Sequence, residues 1–376
     1  MQTTIVGAGP AGCAAGARAA ELGERVRIYE EHKVIGEPVA CSSVVSRKGL
    51  DAAGIEYEAI SSNRLKGAFI HLPDGSVLRV KAKQVIANVF DRAKYDRLCA
   101  ERAEKAGAEI ITGTRPELEK IKGAIIGADG VASNVAKVFG FPPMKEFAFC
   151  YQEDVESASC EDVESVHVFV SNEILPGFFG WAIPLGKDMV RLGCGVKVGS
   201  NPKHALNRLV KKERRVQEML DGARRVSVLG GVIPIEVRKC TAKGRVLLAG
   251  DAAGQTKATT GGGIYFGSMC GKIAGEIAAS AGREEELEQY EQTWRKKYER
   301  DLKMHMRIRR FADGLSDEEV CRYAHMVKNA GAERFLSAYG DMDSPSAMLG
   351  KLKENGLFEG ILKLSKSTSM FGALFM

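Results

Sequence analysis

The stretch from Thr3 to Glu31 constrains this chain more than any other. Thr4, Ile5 and Val6 make a short apolar run with the character of a buried parallel strand. The run leads into Gly7-Ala8-Gly9-Pro10-Ala11-Gly12, then an alanine-rich helical segment, then a second strand from Arg25 to Tyr29 that ends at Glu30. In a dinucleotide site these residues have separate tasks. Gly7 permits the tight strand-to-helix turn, Gly9 lets backbone approach a pyrophosphate, and Gly12 lets helix and strand pack closely, with Ala11 small at the same turn. The helix N-terminus offers unpaired N–H groups and partial positive charge to phosphates. Glu30, about 20 residues further on, is placed to accept hydrogen bonds from an adenosine ribose.

At 376 residues the chain is long for one core, so two or three interleaved units are expected. A formal charge of +6 fits a surface facing anionic headgroups or a phosphorylated substrate, and no pattern points to nucleic acid. No apolar run approaches the ~20 residues needed to span a bilayer. The chain begins directly on a strand, so no signal peptide is expected. The cysteines (Cys13, Cys41, Cys99, Cys150, Cys160, Cys194, Cys240, Cys270, Cys321) are odd in number, dispersed and without a CxxC pair. That usage reads as reduced thiols in a cytoplasmic protein, with neither disulfide framework nor zinc site. His71, His167, His305 and His325 lack metal-ligand spacing, and exposed or satisfied side chains are expected for them.

Two further Gly/Asp elements follow the first: Gly127-Ala128-Asp129-Gly130 after Ala124-Ile125-Ile126, and Gly250-Asp251-Ala252-Ala253-Gly254 after the strand from Arg245. Each follows a β-type run and so stands at the carboxyl end of a parallel strand, where ligands bind in such sheets. A nicotinamide-only enzyme needs the first element alone. The last suits a longer cofactor: Asp251 can bond a ribityl hydroxyl, and the N–H groups of Gly262, Gly263 and Ile264 can face the pyrimidine edge of a flavin. Between these pieces the pattern changes to alternating extended segments, with a hairpin signal at Pro73-Asp74-Gly75. The expected architecture is α/β: a discontinuous Rossmann-like FAD-binding domain with a parallel sheet (1–66 with 84–142 and 234–282), an inserted antiparallel-sheet substrate domain (67–83 with 143–233), and a C-terminal helical region (283–376).

The three-part pattern resembles that of FAD enzymes with the p-hydroxybenzoate hydroxylase fold, in which Arg92 would contact FAD. Within that fold, the run from Gly250 to Glu276 resembles the geranylgeranyl reductase family, especially its archaeal members acting on glycerophospholipids. Hydroxylases usually carry His and Pro after the aspartate, where Gly254 and Ala258 stand here. A second likeness is Phe179-Gly180-Trp181-Ala182-Ile183-Pro184 with the later Gly193-Cys194-Gly195, similar to the family's YxWxFP and GxG. Phe179 and Ile183 replace the Tyr and Phe of that pattern. A third is Gly36-Glu37-Pro38-Val39-Ala40-Cys41, similar to the segment with a cysteine beside the flavin, although Ser42-Ser43-Val44 departs from it. The resemblance implies FAD contacts at Cys41 and Ser42, with Cys41 the one candidate catalytic residue. It also implies a wall of Phe179, Trp181, Ile183 and Pro184, with Phe178, facing a prenylated lipid. The implied reaction is saturation of polyprenyl double bonds, with electrons from NAD(P)H or a ferredoxin. A flavin monooxygenase or halogenase is the first alternative, since the same run also resembles the halogenases' WxWxIP. A quinone-linked electron-transfer flavoprotein is the second.

The resemblance does not extend to the C-terminal helices. Basic residues from Lys303 to Arg310 suit the helix dipole at a C-terminus, the alternative being a rim for lipid phosphate. An apolar stripe through Leu349, Leu352, Leu357, Phe358, Ile361 and Leu362 is expected to pack over the substrate domain. The sharper alternative is peripheral docking on the inner membrane face.

Overall fold

Six strands carry the first motif. Across the sheet stand Ala242–Lys243, Val246–Leu248, Ala124–Gly127, Thr3–Val6, Val26–Tyr29 and Glu109–Ile111. All neighbours are parallel except the outermost pair, Ala242–Lys243 with Val246–Leu248. The three Gly/Asp elements therefore leave adjacent strands at one sheet edge, although the chain separates them widely. The computed structural model describes residues 2–355.

Two helices, Pro10–Glu21 and Ile264–Ser280, pack with their backbones almost touching. A Cβ on Gly271 would fall 2.2 Å from the carbonyl oxygen of Ala11, and one on Gly275 would fall 2.1 Å from that of Ala15. Gly267, one turn earlier, lies against Gly250 and Ala11. Four-residue spacing places these glycines on one helix face. The signal stands in the sequence, but a reading based on strands and phosphate turns passes over it.

The second sheet has seven strands, in the order Arg224–Pro234, Phe147–Glu156, Met189–Lys197, Gly180–Pro184, Ser165–Phe169, Gly67–His71, Val77–Lys81. Its neighbours are antiparallel except Ser165–Phe169 with Gly67–His71, which are parallel. Helices Pro202–Lys212 and Arg214–Met219 cover one face, burying Leu206, Leu209 and Val216 against Leu192, Cys194 and Val196. A third, three-stranded antiparallel sheet of Val44–Ser46, Ala87–Phe90 and Ser61–Leu65 was not expected. Its first strand has only three residues, too few for a period of two to be read.

After residue 283 the described chain is helical apart from turns. Tyr290 and Trp294, both fully buried, fasten this region to the parallel sheet. The Tyr290 hydroxyl donates to the Leu248 carbonyl (2.7 Å) and accepts from Gln255 (3.0 Å), and the Trp294 indole donates to Thr241 (2.8 Å). Of the apolar stripe, Leu349 is buried and Leu352 partly so, while Leu357, Phe358, Ile361 and Leu362 lie outside the described residues. Among the described residues, no helix is long and apolar enough to cross a membrane.

The histidines differ in fate. His325 is half-buried and pairs with Asp74, but His71 and His167 are buried as a stacked pair joined at 2.8 Å. His305 is also buried. Burial and the neighbouring His167 push His71 down to about 4, and burial with the nearby Arg215 charge pushes His167 down to about 4. Lowered values mean that the unfolded chain takes up protons first. The stabilisation is therefore complete above the ordinary value of 6.5 and is lost as pH falls through 4. The melting temperature is expected to drop across that window, and less steeply in a His71→Gln/His167→Gln variant. An equally steep profile in the variant would assign the titration to other groups.

Candidate active site

At the first turn Gly7 has φ +102°, and a Cβ there would lie 2.3 Å from the Ala128 carbonyl oxygen. A Cβ on Gly12 would lie 1.9 Å from the Gly7 carbonyl oxygen, whereas nothing lies within 4 Å of one on Gly9. The two crowded glycines close the turn, and Gly9 leaves its outer side open to a phosphate. Glu30 follows the second strand and already supports this turn: Oε2 accepts from Ala8 N–H (2.9 Å), while Oε1 meets His32 Nδ1 (2.7 Å). An open groove lined by Glu31, His32, Gly113 and Arg115 adjoins it.

Asp129 is tied into its own loop. Oδ1 accepts from the Ser133 hydroxyl (2.6 Å) and Oδ2 from Val135 N–H (2.9 Å), so the carboxylate organises its own loop and the short helix Asn134–Val138. An aspartate after a glycine at a strand end serves a ligand or a helix start equally well, and the sequence does not distinguish them.

Asp251 is available to a ligand. Its Oδ1 lies 2.9 Å from where a Gly263 Cβ would stand. Burial pushes its carboxyl above the ordinary range, with the Arg92 guanidinium opposing. The adjacent Gly254 has φ +69°, and a Cβ there would lie 2.0 Å from the Glu236 carbonyl oxygen, so this position excludes any side chain. Gly262, Gly263 and Ile264 form the start of the Ile264–Ser280 helix, whose first N–H groups have no partner within the helix.

Arg92 opens the helix Arg92–Lys105, capped by Asp91, and its Nε donates to Asp96 at 2.8 Å. The Cys41 side chain lies beside the same guanidinium. Gly36 carries this cysteine segment over the helix: a Cβ there would lie 2.8 Å from the Ala93 Cα. Cys41, Arg92 and Asp251 thus converge from three distant stretches.

Sequence reasoning missed the residues that hold Cys41 and Ser42. The Cys41 carbonyl accepts from Gln152 Nε2 (2.9 Å) and Arg191 Nη1 (3.2 Å), and Arg191 also donates to the Ser42 carbonyl and Ser43 Oγ. Arg191 in turn grips Asp154 with two bonds, 2.7 and 2.8 Å, and is 8% exposed. Gln152 accepts at 3.2 Å from the indole N–H of Trp181. The available signal was strand periodicity, which puts Gln152, Asp154 and Arg191 on inward faces of apolar strands.

The aromatic run forms part of a buried apolar cluster. Phe178 and Phe179 stack at 4.5 Å, and Phe179 meets Trp181 edge-on at 5.8 Å. Trp181, Ile183 and Pro184 are buried and Phe179 is partly so. The paired glycines make room for them: a Cβ on Gly193 would lie 2.7 Å from the Trp181 ring, and one on Gly195 would lie 2.4 Å from Phe178. Leu65, Val89 and Ile235 join this cluster, and Ile233, Met306 and Met342 pack against it. In the basic run, Arg310 stands in the last turn of the helix Arg300–Asp313, where its charge suits the dipole, but its neighbour has another role. Arg309 is buried, pairs with Asp313 at 3.0 Å and stacks over the Phe178 ring at 4.4 Å.

Residues 5–59 match the family described as NAD(P)-binding Rossmann-like domain. The digeranylgeranylglycerophospholipid reductase of Methanothrix thermoacetophila is 31% identical over 363 residues, spanning 86% of this chain and 90% of its own. That of Methanosarcina acetivorans is 32% identical over 371 residues, spanning 88% and 89%. The chain belongs to the geranylgeranyl reductase family. This makes it an oxidoreductase, and the relatives favour a reductase over a halogenase. Among solved structures, a geranylgeranyl bacteriochlorophyll reductase-like protein from Thermoplasma acidophilum superposes with a TM-score of 0.80 at 20% identity, covering 96% of this chain and 98% of its own. A flavin-dependent brominase superposes at 0.67 with 14% identity, covering 94% and 98%. These likenesses are of fold, the fold of FAD-binding flavoproteins.

In this reductase, removing one partner of a buried ion pair costs ~3–5 kcal/mol. Arg191→Leu is expected to destabilise by that order and to release the Cys41–Ser43 loop. Alkylation of Cys41, followed by peptide mass spectrometry, would accelerate relative to buried Cys270. Unchanged labelling would show that Arg191 does not hold the loop.

Proposed function

We propose that this protein binds FAD and saturates double bonds of geranylgeranyl chains, the substrate being an archaeal-type prenylated glycerophospholipid. One observation carries the reading: an apolar aromatic wall is joined by Trp181, Gln152 and the Cys41 carbonyl to a convergence of Cys41, Arg92 and Asp251. The residues fit the cofactor. The glycine turn would hold the pyrophosphate, Glu30 the ribose, Asp251 a ribityl hydroxyl, and the N–H groups at Gly262, Gly263 and Ile264 the pyrimidine edge. In this reading the parallel-sheet pieces and the seven-stranded sheet act as cofactor and substrate domains.

Reducing an isolated trisubstituted alkene adds a hydride to one carbon and a proton to the other. FAD, when bound and reduced, would supply the hydride. Phe178, Phe179 and Trp181 exclude water from the carbon that gains cationic character, preventing its capture as an alcohol. In this reading Cys41 holds or passes the proton, on a loop fixed by Gln152 and Arg191. Electrons come from NAD(P)H bound transiently or from a ferredoxin-type carrier. Peripheral contact with the inner membrane face would give access to the lipid.

The experiment is anaerobic. Dithionite-reduced protein mixed with geranylgeranyl glycerophospholipid is expected to reoxidise its flavin while the lipid gains mass in steps of two hydrogens. No reoxidation with any prenyl lipid would overturn the reading. Cys41→Ala is expected to slow the single-turnover step by roughly 100-fold, the lower end of general acid contributions. An unchanged rate would remove Cys41 from the chemistry.

A further inference from the structure

The loop that delivers the chain to Gly262 is closed on itself and clamped from outside. Lys257 N–H donates to the Gly262 carbonyl (3.2 Å), and Gly261 N–H donates to the Lys257 carbonyl (2.7 Å). The Lys257 side chain runs against Gly262, where a Cβ would lie 2.6 Å from Cε and 3.0 Å from Nζ. Its ammonium pairs with Asp343 at 2.6 Å, the two side chains being 6% and 1% exposed. Asp343 belongs to a turn organised by Asp341, which accepts from the N–H groups of Asp343 and Ser344 and pairs with Lys48. The helix Arg300–Asp313 adds two contacts one turn apart: His305 with the Thr259 hydroxyl at 2.7 Å, and Arg309 with the Ala258 carbonyl at 3.2 Å. Three consecutive residues of the loop are thus held by the C-terminal region.

A buried ion pair is a poor way to gain stability, because desolvation offsets the attraction. Placed behind a glycine at a helix N-terminus, however, a fixed cation adds to the positive end of the helix. We propose that Lys257, held by Asp343, is a positioning residue for the flavin: it fixes the loop presenting the Gly262–Ile264 N–H groups and favours the negative charge that the ring edge gains on reduction. The C-terminal region, through Asp343, then influences the cofactor's reduction potential. This rests on the FAD reading given above.

The test uses the full chain with FAD. In Lys257→Met, loss of the cation and loosening of the loop act in the same direction. The expected result is a tenfold lower reduced-to-oxidised ratio at fixed poise, about 30 mV more negative for a two-electron couple, with roughly tenfold weaker FAD retention. Lys257→Met/Asp343→Leu, which leaves no buried charge unpaired, is expected to shift the same way, and Asp343→Glu to stay close to wild type. Thermal melting confirms that each variant is folded. An unmoved potential in both folded Lys257 variants overturns the proposal, even if FAD binds more weakly, because a loosened loop alone would do that. Wild-type protein that binds no FAD would defeat the FAD reading itself, and this inference with it.

Discussion

The contact on which the rest depends is the backbone-to-backbone approach of the helices Pro10–Glu21 and Ile264–Ser280. Gly271 and Gly275 lie so close to the carbonyl oxygens of Ala11 and Ala15 that no side chain could be inserted. The two helices start at opposite parts of the site, one at the first glycine turn and the other at Gly262–Ile264. Their separation fixes how far apart the two positive helix ends stand. At Gly271 and Gly275 the crossing is backbone against backbone, so it has little freedom to adjust. Gly7, Gly12 and Gly254 apply the same rule at the turns around it.

The polar groups around the site serve position more than stability. Arg191 with Asp154 and Lys257 with Asp343 lie where apolar residues would pack at lower desolvation cost. Each holds a loop that has almost no regular structure of its own: residues 41–43 in one case, 257–263 in the other. Such loops gain little from hydrophobic burial, and directional bonds from rigid strands and helices replace it. Both loops reach the same apolar cluster: Gly261 lies against Phe178 and Ile233, and the Cys41 carbonyl is joined through Gln152 to Trp181.

How much was legible in the sequence follows from the range of each signal. Gly7, Gly9, Gly12 and Glu30 lie in one short unit whose spacing encodes a strand, turn and helix, and the sheet contains that unit. Gly193 and Gly195 were visible as a motif, but their purpose, making room for Trp181 and Phe178, emerges only when two strands are paired. Asp129 carries the same local signature as Asp251, yet one binds its own loop and the other is left open. The difference lies in Ser133 and Val135, which the local pattern does not weigh. Gln152 and Arg191 act on Cys41 from more than a hundred residues away, and only the folded register joins them. The C-terminal helices carry no motif because what they contribute is single side chains reaching an interior loop.

The relay from Trp181 through Gln152 to the Cys41 carbonyl has a consequence for how such an enzyme can diversify. Trp181 belongs to the surface that would decide which chain fits, and its indole also orients the amide that holds the thiol segment. Under the proposed function, a substitution that reshapes the wall at Trp181 also disturbs the support of the Cys41 segment. Under the same reading, Phe179 carries no such bond and its replacement leaves Gln152 in place, but at Trp181 a new specificity has to arrive together with a new support for Gln152.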